Sequence, residues 1–166
     1  MEGPVELHPS TRALFAREFN VEQRTERWYE ERKKLITASD AAPALGIKPF
    51  SSYKGDIRAE ALKQKLGGWK GNVYCSHGQW YEQEASDLAA KALGMTVYEF
   101  GLLRHEELPW LGASPDGVTA CGCLFEIKCP LRRVIEEGHV PHHYMPQAGR
   151  PQQLFSFLPQ WWRRRF

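Results

Sequence analysis

The sequence predicts a mixed α/β fold in which a central sheet is flanked by helices. Up to Gly94, long segments combine strong helix formers with apolar residues spaced by three and four, which is typical of amphipathic helices. Beyond Gly94, the segments are short and either alternate in polarity or are rich in apolar residues, which favours strands. The chain has 166 residues, 42% of them hydrophobic, and is therefore sized for one domain with a buried core.

Residues 1–20 are expected to form an N-terminal extension with at most one short helix. Four helical segments follow along the chain: Glu22 to Lys34, a cap at Thr37 or Ser39 through to Gly46, Ser51–Ser52 to about Leu66, and Ser76 or His77 to Leu93. Gly94 then ends the last helix as a C-terminal cap.

The last of these helices carries a glutamate beside its apolar residues. The apolar positions repeat every three or four residues and predict one buried face: Tyr81, Ala85, Leu88, Ala89 and Ala92. Glu82 lies at the edge of that face, close to the core. A carboxylate in such a place needs a partner or a metal ion, although an ordinary boundary glutamate fits the same pattern.

Three short strands are expected to form a meander after Gly94. They are Thr96–Phe100, a segment within Leu111–Val118 that Gly112 and Pro115 interrupt, and Leu124–Lys128, which Pro130 ends. A helix around Tyr144 then crosses the sheet.

Acidic residues and a lysine flank the hairpin predicted for the last two strands. A three-residue loop ending in a left-handed Gly122 sets Asp116 opposite Glu126. Because residues i and i+2 share one face of a strand, Glu126 and Lys128 point together while Ile127 turns into the core. Two carboxylates therefore converge beside an ammonium group.

Converging carboxylates with room for water suggest a site for Mg²⁺ or Mn²⁺. Such an ion neutralises charge on phosphoryl oxygens and lowers the pKa of a bound water, which supports phosphodiester hydrolysis. A surface hairpin with an incidental ion pair gives the same spacing, so this segment alone leaves both interpretations open.

Four separated blocks resemble the lambda-exonuclease-like, or YqaJ-type viral recombinase, branch of the PD-(D/E)xK nucleases. The blocks are Trp28–Arg32 leading to Ile36–Ser39, Gly78–Glu82, Ser114–Gly117 with Glu126–Pro130, and Tyr144–Gln147. Their order and spacing over residues 24–147 are more specific than any single block. The resemblance implies a restriction-endonuclease-like α/β/α core, with the nuclease domain at residues 21–147.

The resemblance also implies the residues of a Mg²⁺-dependent site, with Mn²⁺ as a possible substitute. The expected metal ligands are Glu82, Asp116, Glu126 and the carbonyl of Ile127. Lys128 would position or activate water, and Gln147 would orient Lys128 or the nucleophile.

A phosphate pocket is expected from three further residues. Arg32, Ser39 and Ser114 would hold a phosphate, since a helix start beside Ser39 offers free backbone N–H groups. Without the resemblance, Ser39 only caps a helix and Arg32 only pairs with Glu30 or Glu31 on the surface.

By resemblance, the activity is that of a DNA exonuclease working 5′ to 3′ on duplex ends in viral or phage recombination. Its expected partners are double-stranded DNA ends, a single-strand annealing protein and further copies of the chain in a homo-oligomer. Two alternatives stay open. One is an endonuclease or junction resolvase on the same scaffold, and the other is a non-catalytic DNA-binding remnant.

The resemblance ends after Gln147. Gly149 and Pro151 would stop the helix there, and residues 148–166 form an atypical basic and aromatic tail, so the C-terminal part of the fold is expected to be truncated or altered. The tail could cover the sheet edge that missing strands would expose. It could also bind single-stranded nucleic acid through Trp161, Trp162 and its arginines.

The charge balance directs attention to local patches. The formal net charge is +2, and without Arg163–Arg165 the 22 basic residues fall to 19 against 20 acidic ones. DNA affinity must therefore come from local patches and bound metal. The segment Lys48–Lys70 holds six basic and two acidic residues and is either a solvated helix face or a DNA contact.

Cysteines and hydropathy restrict other classes of function. Cys121 and Cys123 have no matching second pair, so a structural zinc site is not expected. The sequence has no secretory leader and no apolar run near the length of a membrane span. The expectation is a soluble intracellular protein of the cytoplasm or nucleus, with no membrane partner.

Overall fold

The computed structural model of the chain describes residues 6–49, 53–67, 71–132 and 140–147. Within these ranges, helices and strands occur in the order α1 (Pro9–Phe15), β1 (Asn20–Val21), α2 (Glu26–Lys33), β2 (Ile36–Thr37), a 3₁₀ turn (Ala38–Asp40), α3 (Ala41–Ala44), α4 (Ile57–Gly67), α5 (Val73–Leu93), β3 (Val97–Tyr98), β4 (Leu102–Arg104), β5 (Leu111–Ala113), β6 (Gly117–Thr119) and β7 (Leu124–Phe125). The backbone is also helical at residues 145–147. The tail predicted at residues 148–166 lies outside the described residues.

Two small sheets form the β part of the fold. The first has the strand order β1-β4-β5-β2, in which β2 and β5 are parallel and the other pairs antiparallel. The second has the order β3-β6-β7 and is antiparallel. Helices combined with a mixed sheet confirm the predicted α/β class.

The main core cluster joins the two sheets and α1. Leu103 and Ala113 come from the first sheet, and Val118 and Leu124 come from the second. Leu14 of α1 is buried among them, so the predicted N-terminal extension contributes to the core. Full burial of each large apolar side chain contributes about 1.5–3 kcal/mol, which fixes the sheets against each other.

The turn between β6 and β7 has the predicted three-residue loop. Thr119 N donates to Cys123 O at 2.8 Å, and Gly122 has a φ of 86°, in the left-handed region. The segment leading into α1 holds this loop, since His8 N donates to Ala120 O at 2.8 Å. The hairpin is therefore anchored at its closed end.

Three helices begin at other residues than the sequence predicts, because a polar side chain caps each one. Thr25 accepts a hydrogen bond from the backbone of α2, Asp56 from that of α4, and Asn72 from that of α5. Helix α2 thus starts four residues later than predicted, and α5 starts at Val73, three or four residues before the predicted Ser76 or His77. The predicted end of α5 is confirmed, because Gly94 caps it with a φ of 60°.

The predicted meander is only partly correct. Leu111–Val118 contributes to two strands in different sheets, β5 in the first and β6 in the second. Pro115 lies between them and has no N–H to donate, and its carbonyl accepts from the side chain of Gln23 at 3.0 Å. Strands β1, β2 and β4 were not predicted.

The predicted buried face of α5 is wrong for the residues that the structure describes. No α5 residue is buried, and on the predicted face Tyr81 is 44% exposed and Leu88 is 61% exposed. Spacing by three and four determines which side chains share a helix face, but it does not determine what packs against that face. Among the described residues, no element covers it.

Candidate active site

Acidic side chains meet at the open end of the β6–β7 hairpin. The strand register pairs Gly117 with Phe125, which places Asp116 next to Glu126 just beyond the ladder. Asp116 Oδ2 accepts a hydrogen bond from Ile127 N at 2.6 Å. Both positions follow from the loop length and the alternation of the strand.

Lys128 and Gln147 both bind the same oxygen of Glu126. Lys128 Nζ and Gln147 Nε2 each donate a short hydrogen bond to Glu126 Oε1. The Glu126 side chain is 17% exposed and that of Lys128 35% exposed, so the ion pair faces solvent on one side. Gln147 therefore contacts Glu126, whereas the sequence analysis assigned it to Lys128 or the nucleophile.

Glu82 approaches the hairpin from α5. Its Oε1 forms an ion pair with Arg24, at 2.8 Å from the guanidinium. Arg24 is in the left-handed region with a φ of 65°, which is unusual for a residue with a side chain. Burial raises the pKa of Glu82, and the negative charge of Asp116 raises it further.

Burial raises the pKa values of all three acidic groups, and a neighbouring negative charge adds to this at two of them. Burial raises the pKa of Glu126 to about 7, with the charges of Asp116 and Glu82 adding to this and Lys128 opposing it. Burial also raises the pKa of Asp116, while its hydrogen bond from Ile127 acts in the opposite direction. Burial is thus the main cause of all three shifts, and repulsion by a neighbouring carboxylate adds to it at Glu82 and Glu126.

The donor set fits a hard divalent cation. Each carboxylate uses one oxygen for the bonds above, and among the described residues the other oxygen of each receives no hydrogen bond. As these side chains stand, no three His, Cys, Asp or Glu residues in the described ranges are close enough to enclose an ion. A metal would therefore have to draw the second oxygens together, with water completing its coordination.

The predicted phosphate residues form one connected group. Arg32 donates to Ser39 Oγ at 2.7 Å and stacks on the Trp28 ring at 4.3 Å. Trp28 Nε1 donates to Ser114 Oγ at 2.9 Å. The group is lined by one guanidinium and two hydroxyls, a set that can bind a phosphate.

The alternative pairing of Arg32 with its neighbours on α2 is not seen. Glu30 pairs with Lys33 at 2.6 Å, and Glu31 pairs with Lys34 at 2.8 Å. Thr37 rather than Ser39 occupies the N-cap position, in a capping box with Asp40. The Ser39 hydroxyl therefore accepts from Arg32 and also forms a hydrogen bond with Thr37 Oγ1 at 3.0 Å.

Three residues beside the site had no assigned role in the sequence analysis. Trp28 lies in a matched block, but its contact with Ser114 spans 86 residues and has no sequence signal. Gln23 holds the Ser114–Asp116 segment through the carbonyl of Pro115, and Arg24 binds Glu82. Only Trp28 could have been suspected, from its place in the block.

Two members of the predicted basic patch have partners within the protein, and Lys65 is largely buried while Arg58 stays exposed. Lys65 Nζ forms an ion pair with Asp40 at 2.5 Å, and Arg58 Nε donates to Ala44 O at 3.2 Å. Lys63 is exposed. Lys70 lies outside the described residues.

The cysteines are not joined by disulfide bonds, and the described helices do not have the length and composition of membrane spans. The four cysteines, all within the described ranges, are free, and the sulfurs of Cys121 and Cys123 are 3.7 Å apart. None of the described helices is both long and apolar enough to cross a membrane.

Solved structures share this fold. An alkaline exonuclease from Laribacter hongkongensis, LHK-Exo, has 28% sequence identity and a TM-score of 0.59, over 74% of this chain and 64% of that chain. The same enzyme in complex with dAMP has 30% identity and a TM-score of 0.57, over 74% and 65% of the two chains. The chain is therefore an α/β protein with a fold of the alkaline exonuclease type.

The family follows from the sequence itself. The model of the YqaJ-like viral recombinase domain matches residues 27–150, and the chain belongs to that family. This confirms the resemblance on which the sequence analysis relied.

Viral proteins are among its relatives. Protein R354 of Acanthamoeba polyphaga mimivirus is 30% identical over 147 residues, and the match covers 76% of this chain and 26% of the relative. Protein D345L of African swine fever virus (isolate Tick/Malawi/Lil 20-1/1983) is 27% identical over 159 residues, covering 76% of this chain and 44% of the relative. The chain thus spans less than half the length of these viral relatives.

Proposed function

We propose that the chain is a metal-dependent DNA exonuclease domain that hydrolyses phosphodiester bonds from duplex ends in the 5′ to 3′ direction. The observation that carries this proposal is that Asp116 lies beside Glu126 at the end of the hairpin, next to Lys128, with Glu82 near enough for its charge to raise the pKa of Glu126. Neighbouring carboxylates that are partly buried in this way favour a nearby cation.

The three carboxylates would hold Mg²⁺ or Mn²⁺, with the Ile127 carbonyl as a further ligand. When bound, the ion supplies a Lewis acid for the phosphoryl oxygens and a water of lowered pKa. Burial alone would lower the pKa of Lys128, but Glu126 outweighs it and the net pKa is raised, so Lys128 stays an ammonium group. In that form Lys128 orients an anionic phosphate or a water. Gln147 helps to keep Glu126 in place by donating to the same oxygen as Lys128.

End recognition would fall to the pocket formed by Arg32, Ser39 and Ser114. A terminal 5′-phosphate carries more negative charge than an internal phosphodiester and suits a guanidinium flanked by two hydroxyls. The structural relative LHK-Exo binds dAMP, a deoxynucleoside monophosphate of the kind that an exonuclease releases. That ligand supports the same class of product here.

The wider biological role is proposed by family. A viral recombination nuclease would act on double-stranded DNA ends and leave a single strand for an annealing protein. Assembly of several copies around the duplex would keep the enzyme on its substrate. The annealing protein and the assembly are additional proposals. Hydrolysis of DNA by the chain does not depend on either of them.

The test is digestion of linear duplex DNA with 5′-phosphate or 5′-hydroxyl ends, with and without Mg²⁺. We expect release of mononucleotides only with the cation, faster from phosphorylated ends, and intact covalently closed circles. Cleavage of closed circles would favour an endonuclease or junction resolvase on the same scaffold.

A second comparison separates an enzyme from a non-catalytic remnant. Asp116→Ala should abolish digestion, whereas Glu99→Gln, which removes one exposed carboxylate outside the site, should not. Equal, background-level activity in the native chain and Asp116→Ala would eliminate the catalytic proposal.

A further inference from the structure

Asp40 connects the proposed phosphate pocket to α4. Its Oδ2 accepts three hydrogen bonds: from Thr37 N at 2.8 Å, from Thr37 Oγ1 at 2.7 Å and from Lys65 Nζ at 2.5 Å. The side chains of Asp40 and Lys65 are only 25% and 17% exposed. This is a half-buried ion pair between elements 25 residues apart, unlike the short-range pairs on the surface of α2.

Two cations compete for the charge of Asp40. Burial lowers the pKa of Arg32, and the negative charge of Asp40 opposes that effect, so the two side chains interact. Arg32 nevertheless donates to Ser39 Oγ, while Lys65 takes the ion pair with Asp40. Burial alone would raise the pKa of Asp40, but the bonds from Lys65 and Thr37 outweigh it and hold the pKa below its usual value.

We propose that Lys65 is a positioning residue for the phosphate pocket, which keeps Arg32 available to a DNA end by neutralising Asp40. This inference rests on the proposed function and deepens its account of end recognition. Lys65 itself does not contact the phosphate. Its charge is already used by Asp40, so the guanidinium of Arg32 remains beside Ser39 with no carboxylate bonded to it among the described residues.

Removal of Lys65 changes the partner of Asp40. A half-buried carboxylate without its counter-ion must find another cation or take up a proton. Arg32 is the cation that already senses the charge of Asp40. Once paired with Asp40, its guanidinium would be neutralised and turned from Ser39, and a phosphate would lose its charged contact.

The test uses Lys65→Met, Asp40→Asn and the double variant. The measurement is the ratio of affinities for duplexes with 5′-phosphate and 5′-hydroxyl ends, by fluorescence anisotropy without divalent cations, so that it does not depend on hydrolysis. Lys65→Met should lower this ratio by about tenfold or more. Adding Asp40→Asn to Lys65→Met should restore the ratio to within about threefold of the native chain, since the competing charge is gone.

Two controls keep the test specific. Lys63→Met removes an exposed cation from the same helix and should leave the ratio unchanged, whatever its effect on overall DNA affinity. Lys65→Arg keeps the charge and should retain the preference, and it replaces Lys65→Met as the informative variant if the latter does not fold. Loss of preference in Lys65→Arg would then overturn the inference.

Other results would overturn the role of Lys65 or separate it from the nuclease proposal. An equal loss in Lys63→Met, or no recovery in the double variant, would show that Lys65 does not act through Asp40. Selective binding of phosphorylated ends without any hydrolysis would remove the nuclease proposal and leave this inference standing. Hydrolysis without a preference for phosphorylated ends would remove the pocket, and this inference with it.

Discussion

Asp116 accepts a hydrogen bond from the backbone N–H of Ile127 at 2.6 Å, which joins the two sides of the β6–β7 hairpin at its open end. One carboxylate oxygen thus holds the hairpin, and among the described residues the other oxygen receives no hydrogen bond. In the proposed metal site, this second oxygen would bind the cation.

This double role predicts that Asp116→Asn separates stability from activity. The amide oxygen can still accept from Ile127, while the negative charge near Glu82 and Glu126 is lost. We expect divalent-dependent hydrolysis to fall on the order of a thousandfold. The free energy of unfolding should stay the same or rise, because a desolvated charge has been removed. Urea unfolding beside the nuclease assay measures both, and a parallel loss would mean that Asp116 is only structural.

The pKa of Glu126, raised to about 7, predicts a pH-dependent metal affinity. Below that pH the metal-free carboxyl is protonated and must release its proton before it binds an ion. The apparent affinity for Mg²⁺ should therefore rise with pH up to about 7 and level off above it. Calorimetric titrations with Mg²⁺ at a series of pH values measure this rise in affinity. Glu126→Gln should abolish the dependence on pH. A step that persists in Glu126→Gln would assign it to another group.

The same shift has a consequence for folding without metal. The pKa of Glu126 is raised from its ordinary value of 4.5 to about 7 in the folded protein. Below pH 4.5 this group therefore makes its full contribution to stability, relative to high pH. That contribution should be lost as the pH rises through about 7. Thermal unfolding in the presence of a metal chelator measures this effect. As the pH rises from 4.5 to about 7, the Tm of the native chain should fall relative to the Tm of Glu126→Gln. Parallel curves for the two proteins would contradict the assignment.

Gly122→Ala should destabilise the protein more than Gly94→Ala. Both glycines have positive φ, 86° and 60°, so either substitution costs about 1 kcal/mol for the backbone. At Gly122 the new Cβ would also lie 2.8 Å from His8 Nδ1 and Ser10 Oγ, whereas at Gly94 it meets nothing within 4 Å. Overpacking adds about 1–3 kcal/mol. Chemical denaturation compares the free energies of unfolding of the two variants. Equal losses of stability would contradict the packing of His8 and Ser10 on the hairpin loop.

Trp28→Phe should weaken end recognition without affecting the chemical step. Phenylalanine can keep the stacking with Arg32 but loses the hydrogen bond to Ser114. A lost bond of about 1 kcal/mol predicts a roughly fivefold smaller preference for phosphorylated ends. The ratio of kcat/KM for phosphorylated and hydroxyl ends measures it, with Trp80→Phe, at a position 81% exposed, as the control. An equal drop in kcat on both kinds of end would place Trp28 in catalysis.

Sequence reasoning succeeded where short-range geometry decides the structure. The left-handed Gly122, the cap at Gly94 and the register that places Asp116 beside Glu126 follow from loop length and strand alternation.

Long-range contacts could not be predicted in this way. The bond from Trp28 to Ser114 and the pair between Lys65 and Asp40 depend on how distant segments pack. Strands of two residues such as β1 carry too short a pattern to be distinguished from a loop.

Direct measurement of metal binding tests the central claim most closely. Mn²⁺ binding, followed by electron paramagnetic resonance, should give one tight site in the native chain. Glu82→Gln, Asp116→Asn and Glu126→Gln should each weaken that site by about tenfold or more, while Glu84→Gln, an exposed neighbour on α5, should leave it unchanged. Equal Mn²⁺ affinity in all five proteins would contradict the account.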